Sequence, residues 1–431
     1  MESRDASTGA DPLPVPDRPL HALFVTLGYK PAYRIGGPII SVAALAEGMV
    51  ARGHRVTVFT TDSNLDQDLD VPVDRPVDVD GVTVWYFRRV DPVRKYLRAI
   101  PYLGRTVGYL HTPALAGTLK RILGTVDLVH TQMPFVAPTR IAGLAAIRAG
   151  VPLFYHQRGV FDPERLAYRG LKKRLYIRLV ERRLLAGATT LIALTEAEVE
   201  SYRALGVDTP CRIVPNGIDA AAYRTRPSPA FGGVPSDRQV ILFLGRLHEI
   251  KGGDLLLDAF IRIAADHPKA VLVMAGPDEG LLQDSYRARL EQAGLSGRTL
   301  FPGMLTGEAK LDWLARADLF CLPSRAEGFS MAVLEAMASG TPVMLSPGCH
   351  FLRAAQVGAG WIVPRTVGDW ARALDRVLSD PTRLADAGGR ARDLVEREFA
   401  WPEIVARMEA VYREGITRAA AARPSTGVRL R

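Results

Sequence analysis

The chain has 431 residues, 48% of them hydrophobic and 23% charged, with a formal net charge of +9. That length is too great for one ordinary core and points to two domains of roughly 200 residues each. No apolar run approaches the roughly 18 residues of a membrane span. The three cysteines, Cys211, Cys321 and Cys349, match neither a disulfide framework nor a zinc spacing, so a reducing cytoplasm is the expected compartment.

Residues 1–19 are polar, rich in Pro and Asp, and lack an apolar segment. They read as a disordered leader, not a secretory signal. From His21 the chain alternates apolar strand-like runs with helical patterns, the signature of parallel sheets with crossover helices. A first strand over His21 to Leu27 leads to a Gly-rich turn, Arg34-Ile35-Gly36-Gly37-Pro38, and a helix from about Ile40 to Ala51. Further strands are expected at Arg55–Thr60, Val82–Phe87, Asp127–His130, Pro152–His156 and Thr190–Leu194. A helix opened by Thr195-Glu196-Ala197-Glu198 follows, and Cys211 to Gly217 closes the first domain, 20–223. Residues 224–238, rich in Pro, Gly, Ser and Arg, have the composition of a linker.

The alternation restarts in a second domain, 239–400. Strands are expected at Val240–Leu244, Ala270–Met274, Thr299–Phe301, Leu319–Leu322 and Val343–Leu345. Helices between them are expected at Asp254–Ala265, Gly280–Ala293, Gly307–Ala315 and from Ser330 to Ala338. A last helix over 401–420 is expected to return to the first domain, with 421–431 a frayed tail. The fold class is therefore α/β, two doubly wound domains in tandem, with ligand held where strand C-termini face an interdomain cleft.

Two basic clusters carry much of the charge. One runs from Arg88 to Arg105, interleaved with Tyr96, Tyr102 and Tyr109; the other is Arg165 to Arg183. An anionic membrane surface, an acidic acceptor, or plain solvent would each suit them. No nucleic-acid fold signature accompanies the charge, so nucleic acid is not an expected partner.

The most informative stretch is Glu327-Gly328-Phe329-Ser330-Met331-Ala332-Val333-Leu334-Glu335. Ser330 is placed as an N-cap, Gly340 as a left-handed stop, and Thr341-Pro342 leads into a strand. Glu327 then precedes the helix and Glu335 lies about a turn and a half inside it. The helix N-terminus directs free N–H groups at the space between the two carboxylates. A ligand with a hydroxylated ring, a central diphosphate and a ribose would fit, as a nucleotide-sugar does. Arg246 and Lys251, on the turn from the second domain's first strand into a helix opened by Gly252-Gly253, form a diphosphate clamp that needs no metal.

These motifs resemble those of the retaining GT-B glycosyltransferases of family 4. The resemblance spans about residues 20–415. It rests on Gly36-Gly37-Pro38, on Val214-Pro215-Asn216-Gly217-Ile218-Asp219, on Gly245-Arg246 through Lys251-Gly252, and on Glu327-Gly-Phe with Glu335-Ala-Met-Ala-Ser-Gly-Thr-Pro342. It implies an enzyme that moves a sugar from a nucleoside diphosphate to an acceptor hydroxyl with retention, without cofactor or metal. The acceptor would be a lipid-linked sugar, a polysaccharide or a natural product. The cysteine pattern and the basic clusters together suggest a cytoplasmic protein, with peripheral contact to an anionic inner membrane face. Glu335 would accept the ribose hydroxyls, with Leu334 beside it. Glu327 would bind the transferred sugar, and the backbone of Gly328, Phe329 and Ser330 the sugar and β-phosphate. Arg246 and Lys251 would neutralise the leaving group, and Gly36 and Gly37 would let the first domain approach the same phosphates. The family's first-domain His position falls on Arg158, with His156 the alternative; a structural role is the third reading. His130, ending its strand, would face the cleft and touch acceptor, or be a satisfied strand-end His.

Asp66-Gln-Asp68, Asp68-Leu-Asp70 and Asp78-Val-Asp80 match the Asp-x-Asp pattern of metal-dependent transferases, but such matches arise easily in an acidic loop. A nucleotide-sugar epimerase on the same fold, or a non-catalytic membrane-surface protein, are the competing readings. A dehydrogenase is disfavoured because the first strand–helix turn lacks Gly-x-Gly-x-x-Gly.

Overall fold

The apolar runs become strands because β-branched and aromatic side chains fit a sheet covered on both faces. The structure is a computed structural model that describes residues 18–65, 67–89, 112–162, 174–223 and 231–422. In the first lobe the strands are β1 (His21–Val25), β2 (Arg55–Thr61), β3 (Pro76–Val79), β4 (Val82–Phe87), β5 (Leu128–Gln132), β6 (Leu153–His156), β7 (Thr190–Ala193) and β8 (Cys211–Ile213). They form one sheet in the order β8-β7-β6-β5-β1-β2-β4-β3. All pairings are parallel except the β3–β4 hairpin. The second lobe holds β9 (Gln239–Leu244), β10 (Ala270–Ala275), β11 (Thr299–Gly303), β12 (Leu319–Leu322), β13 (Val343–Leu345) and β14 (Gly360–Ile362). They form a wholly parallel sheet in the order β11-β10-β9-β12-β13-β14.

The helices that place the cleft residues are α1 (Gly37–Ala51), α2 (Pro113–Ile122), α3 (Ala137–Ala149), α4 (Arg182–Gly187) and α5 (Glu196–Ala204) in the first lobe. In the second lobe they are α6 (Gly253–Ile263), α7 (Gln283–Gln292), α8 (Gly307–Arg316), α9 (Met331–Ala338), α10 (Leu352–Gln356), α11 (Val367–Leu378) and α12 (Pro381–Glu398). The terminal α13 (Trp401–Ala421) crosses back. Its Ile404, Val405, Met408 and Tyr412 pack with Val42, Ala46 and Met49 of α1 in one apolar cluster on the first sheet. A second cluster covers that sheet's other face, and the second lobe has its own core.

The lobes are joined where the chain crosses twice. Ile218 and Ala400 form a parallel bridge, with Ile218 N–H donating to Phe399 O (2.8 Å) and Trp401 N–H to Ile218 O (3.3 Å). The C-terminal ends of both sheets face each other, and the backbones of Gly159 and Gly328 touch across the gap. A Cβ added to Gly159 would lie 2.7 Å from Gly328 Cα.

Several expectations are corrected. β1 ends at Val25, two residues early. β3, a half-polar edge strand, is an addition. Within the expected linker, Phe231 packs edge-on against Trp313 with centroids 5.1 Å apart; residues 224–230 lie outside the described residues. His130 stands in the middle of β5, not at its end.

Candidate active site

The second lobe builds most of the site from the loops that follow β9 and β12. After β9 a 3-10 turn, Glu249–Lys251, precedes Gly252, which is left-handed at φ 71°. A Cβ there would lie 2.3 Å from the carbonyl oxygen of Pro323. Only glycine lets this loop sit so close to the end of β12. Ser324 Oγ and Arg325 N–H both donate to Ile250 O, at 3.0 and 2.7 Å, which pins the two loops together. Lys251 Nζ therefore reaches Glu327 Oε1 at 2.6 Å. Glu327 is 5% exposed, and its backbone N–H is anchored on Gly348 O at 2.9 Å.

Helix α9 begins at Met331 with Ser330 extended before it, but the Ser330 hydroxyl makes no capping bond. The helix's first N–H groups lack this side-chain partner, the arrangement that suits an anion. Glu335, inside α9, accepts from Lys310 Nζ (2.9 Å) and from the Tyr223 hydroxyl (3.2 Å). The Tyr223 hydroxyl is pushed up, first by burial and then by the Glu335 charge. Arg246 stands exposed at the mouth and pairs with Glu279 at 2.7 Å. Phe329 lies against Phe351 and Phe399, with centroids 6.0 and 6.3 Å away. The Leu334 side chain is wholly buried in the second lobe's core.

The first lobe contributes less. Gly36 caps α1 at φ 104°, and a Cβ on Gly36 or Gly37 would meet nothing within 4 Å. Open space adjoins this turn. The side chains of Arg158, His156 and His130 are all buried. Arg158 is 8% exposed and donates to Gln132 Oε1 (2.7 Å), Ser41 Oγ (2.9 Å) and Asn216 Oδ1 (3.0 Å). Burial pushes its guanidinium down to about 10. His156 is buried and stacks at 2° and 5.7 Å on His130, whose Nδ1 meets the Tyr412 hydroxyl at 2.6 Å. Burial, and secondarily the Arg158 charge, hold both imidazoles well below the usual range. Extending β6 by two residues would have aimed Arg158 outward. Instead Arg158 is left-handed at φ 50° and Gly159 at φ 73°, and the chain turns back.

Asp68 is tied to Arg89 (2.6 Å), Asp80 to Lys30 (2.8 Å), and Asp78 Oδ1 accepts from Gly81 N–H in the hairpin turn (3.2 Å). Asp66 lies outside the described residues. Among the described residues no group of three or more His, Cys, Asp or Glu could hold a metal ion.

Residues 36–217 match the family described as Glycosyl transferase 4-like domain, and residues 226–394 the family Glycosyl transferases group 1. The chain is 32% identical over 329 residues to D-inositol 3-phosphate glycosyltransferase 2 of Catenulispora acidiphila, covering 72% of this chain and 75% of that protein. It belongs to the GT-B glycosyltransferases of family 4. It is also 29% identical over 408 residues to D-inositol 3-phosphate glycosyltransferase of Jonesia denitrificans, covering 90% of this chain and 92% of that one. The fold matches that of Anabaena HepE, solved in complex with UDP-glucose, with a TM-score of 0.67 and 19% identity over 92% of this chain and 100% of that one.

In this glycosyltransferase the motif residues Lys251 and Glu327 meet directly, and Glu335 lies on the helix that follows. Sequence reasoning missed the residues that hold them. Lys310 sits on an ordinary amphipathic helix, Tyr223 ends a short 3-10 turn, and Glu279 lies on a loop. None carries a local pattern. Asn216 lies inside a recognised motif, but its partner Arg158 lies 58 positions away in sequence.

Proposed function

We propose that this glycosyltransferase transfers a sugar from a nucleoside diphosphate to an acceptor hydroxyl, with retention at the anomeric carbon and without metal. The observation that carries the reading is the contact between Lys251 and Glu327 at the start of α9, with Glu335 on the same helix. The donor's diphosphate would take Lys251 and Arg246 from their carboxylate partners. Its sugar hydroxyl would then bond Glu327, and its ribose diol Glu335, a double acceptor. Two cations and a helix N-terminus supply the charge stabilisation that a metal supplies elsewhere.

In the reaction the bond from the anomeric carbon to the phosphate oxygen breaks and one to the acceptor oxygen forms on the same face. The departing phosphate oxygen takes the acceptor's proton, so the protein's task is positioning and charge stabilisation. Proton NMR of the product, with EDTA present, tests this directly. An anomeric coupling matching the donor's is expected, with no loss of rate; an inverted product, or abolition by EDTA, would overturn it. Removing Arg246 and Lys251 together should abolish transfer in a folded protein. Consumption of the nucleotide-sugar without acceptor, giving its epimer, would favour the epimerase reading.

A cytoplasmic location with peripheral membrane contact belongs to the same reading. No helix among the described residues is long and apolar enough to cross a membrane. Leu175 and Leu179 stand 57% and 67% exposed, beside the exposed Arg174, Arg178, Arg182 and Arg183. They adjoin a groove of about 920 Å³ between α2, α3 and the segment leading into α4. Exposed leucines among cations suit an anionic lipid surface. Residues 90–111 and 163–173, which hold the rest of both basic clusters, lie outside the described residues. Co-sedimentation with phosphatidylglycerol vesicles but not phosphatidylcholine vesicles is expected, and equal recovery with both would remove this part of the reading.

A further inference from the structure

The reading above gives Arg158 no part, yet its side chain connects three pieces of the cleft. Nε holds Gln132, the last residue of β5. Nη1 holds Ser41, in the first turns of α1, and Asn216, two residues before the interlobe bridge at Ile218. Ser41 Oγ itself lies 3.2 Å from Pro38 O, so this bond reaches the turn that carries Gly36 and Gly37. The next residue after Arg158 is Gly159, whose backbone rests on Gly328 of the donor loop.

From the other side the circuit closes. Ile218 bonds Phe399, Phe399 packs on Phe329, and Phe329 follows Gly328. Contacts thus run from Arg158 to Asn216, across the crossing point to Phe399, through Phe329 to Gly328, and back through Gly159. Every partner of the guanidinium is a neutral oxygen. At neutral pH the group keeps its proton even after burial, and the nearby Glu198 charge favours that charged form.

We propose that Arg158 is a positioning residue, a brace that ties the crossing point between the lobes to the floor of the cleft. It fixes the lobe angle at which the Gly36-Gly37 turn and the Glu327-Gly328-Phe329 loop face the same donor. This rests on the donor-site reading above and adds to it how the two walls are held in register. A planar fork is required, because one guanidinium spans acceptors on β5, α1 and the crossing segment; an ammonium cannot reach all three at once. The left-handed turn at Arg158 and Gly159 is part of the device, since it sends the side chain back into the first lobe while the glycine faces forward.

The test compares Arg158→Met, Arg158→Lys and Asn216→Ala with the wild-type full chain. Binding of UDP, GDP and ADP is measured by calorimetry, and release of nucleoside diphosphate from the matching nucleotide-sugar gives turnover. Small-angle scattering of the free protein reports the lobe arrangement. Donor groups on the second lobe are untouched, so nucleotide affinity should stay within about twofold. Turnover should fall about 100-fold in both Arg158 variants, the cost of slight misplacement of reacting groups, and less in Asn216→Ala. The radius of gyration should rise in the Arg158 variants.

Wild-type turnover and radius in Arg158→Met would overturn the brace. So would lost turnover with an unchanged radius and an unaffected Asn216→Ala, which would place Arg158 on the sugar. If Arg158→Met does not fold, Asn216→Ala decides, and wild-type turnover there overturns the proposal. Failure of the wild type to bind any of the three nucleotides would instead sink the donor-site reading.

Discussion

In the second lobe, Lys251, Lys310 and Arg246 each hold a carboxylate at the cleft: Glu327, Glu335 and Glu279. In the first lobe, Arg158 is turned inward among neutral oxygens. Glu409 of α13 is likewise engaged away from the cleft by Arg52 (2.7 Å), Arg413 (2.9 Å) and His54 (3.3 Å). A charge paired at an open edge can exchange its partner for a ligand. A charge satisfied inside a lobe holds that lobe in shape. If the cleft pairs serve the donor while the bonds around Arg158 and Glu409 hold the first lobe's shape, substitutions at these residues should separate into binding effects and stability effects.

The sharpest test of that division is Glu409→Gln, with the largest expected effect. Burial works to raise this carboxyl, but the hydrogen bonds from Arg52, Arg413 and His54 outweigh it and bring it down to about 2. A depressed carboxyl stabilises the fold in full above its unfolded value near 4.5, and the contribution is lost as pH falls toward about 2. At pH 7 the variant should therefore lose on the order of 3 kcal/mol. The gap from wild type should shrink between about pH 4.5 and about 2. Thermal unfolding across that range checks it, with nucleotide affinity unchanged. An equal midpoint at pH 7, or weakened nucleotide binding in a folded variant, would break the comparison.

Glu335→Ala should do the reverse. It removes an acceptor for the ribose and leaves Lys310 without its carboxylate, so nucleotide affinity should fall about 30-fold, the scale of hydrogen bonds to a charged group. The unfolding midpoint of the free protein should move less than in Glu409→Gln, because Glu335 holds one cation, Lys310, where Glu409 is held by Arg52, Arg413 and His54. Unchanged affinity by calorimetry would remove the ribose assignment.

The same division explains what the sequence makes legible. The second lobe's site is written in short contiguous motifs, because one β-loop-α unit supplies Glu327, the helix N-terminus and Glu335 together. Parallel alternation with Gly and Pro punctuation likewise outlines both sheets. The half-polar strand Pro76–Val79 escapes because an edge strand needs no apolar run, and no motif subdivides the helices between Leu352 and Glu398. Arg158 is expected at the cleft because the family resemblance puts the first-domain His position there. The turn that reverses it is stabilised by Gln132, Ser41 and Asn216, which come together only in three dimensions.

The smallest effect probes whether the pairs at the cleft compete with the donor at all. Arg246 and Glu279 are each about half exposed, at 48% and 49%, so their attraction is screened and is worth at most about 1 kcal/mol. If the diphosphate must take Arg246 from Glu279, then Glu279→Gln removes a competitor while leaving the cation and the loop in place. Nucleoside diphosphate should bind up to about fivefold tighter, the ceiling set by a pair of that strength. The gain should fade as salt is raised, because exposed charges are screened. A loss of affinity would mean that Glu279 orients Arg246 for the ligand instead of withholding it. The pairs at the cleft would then be part of a preformed site, and the contrast between the lobes would narrow to one of exposure alone.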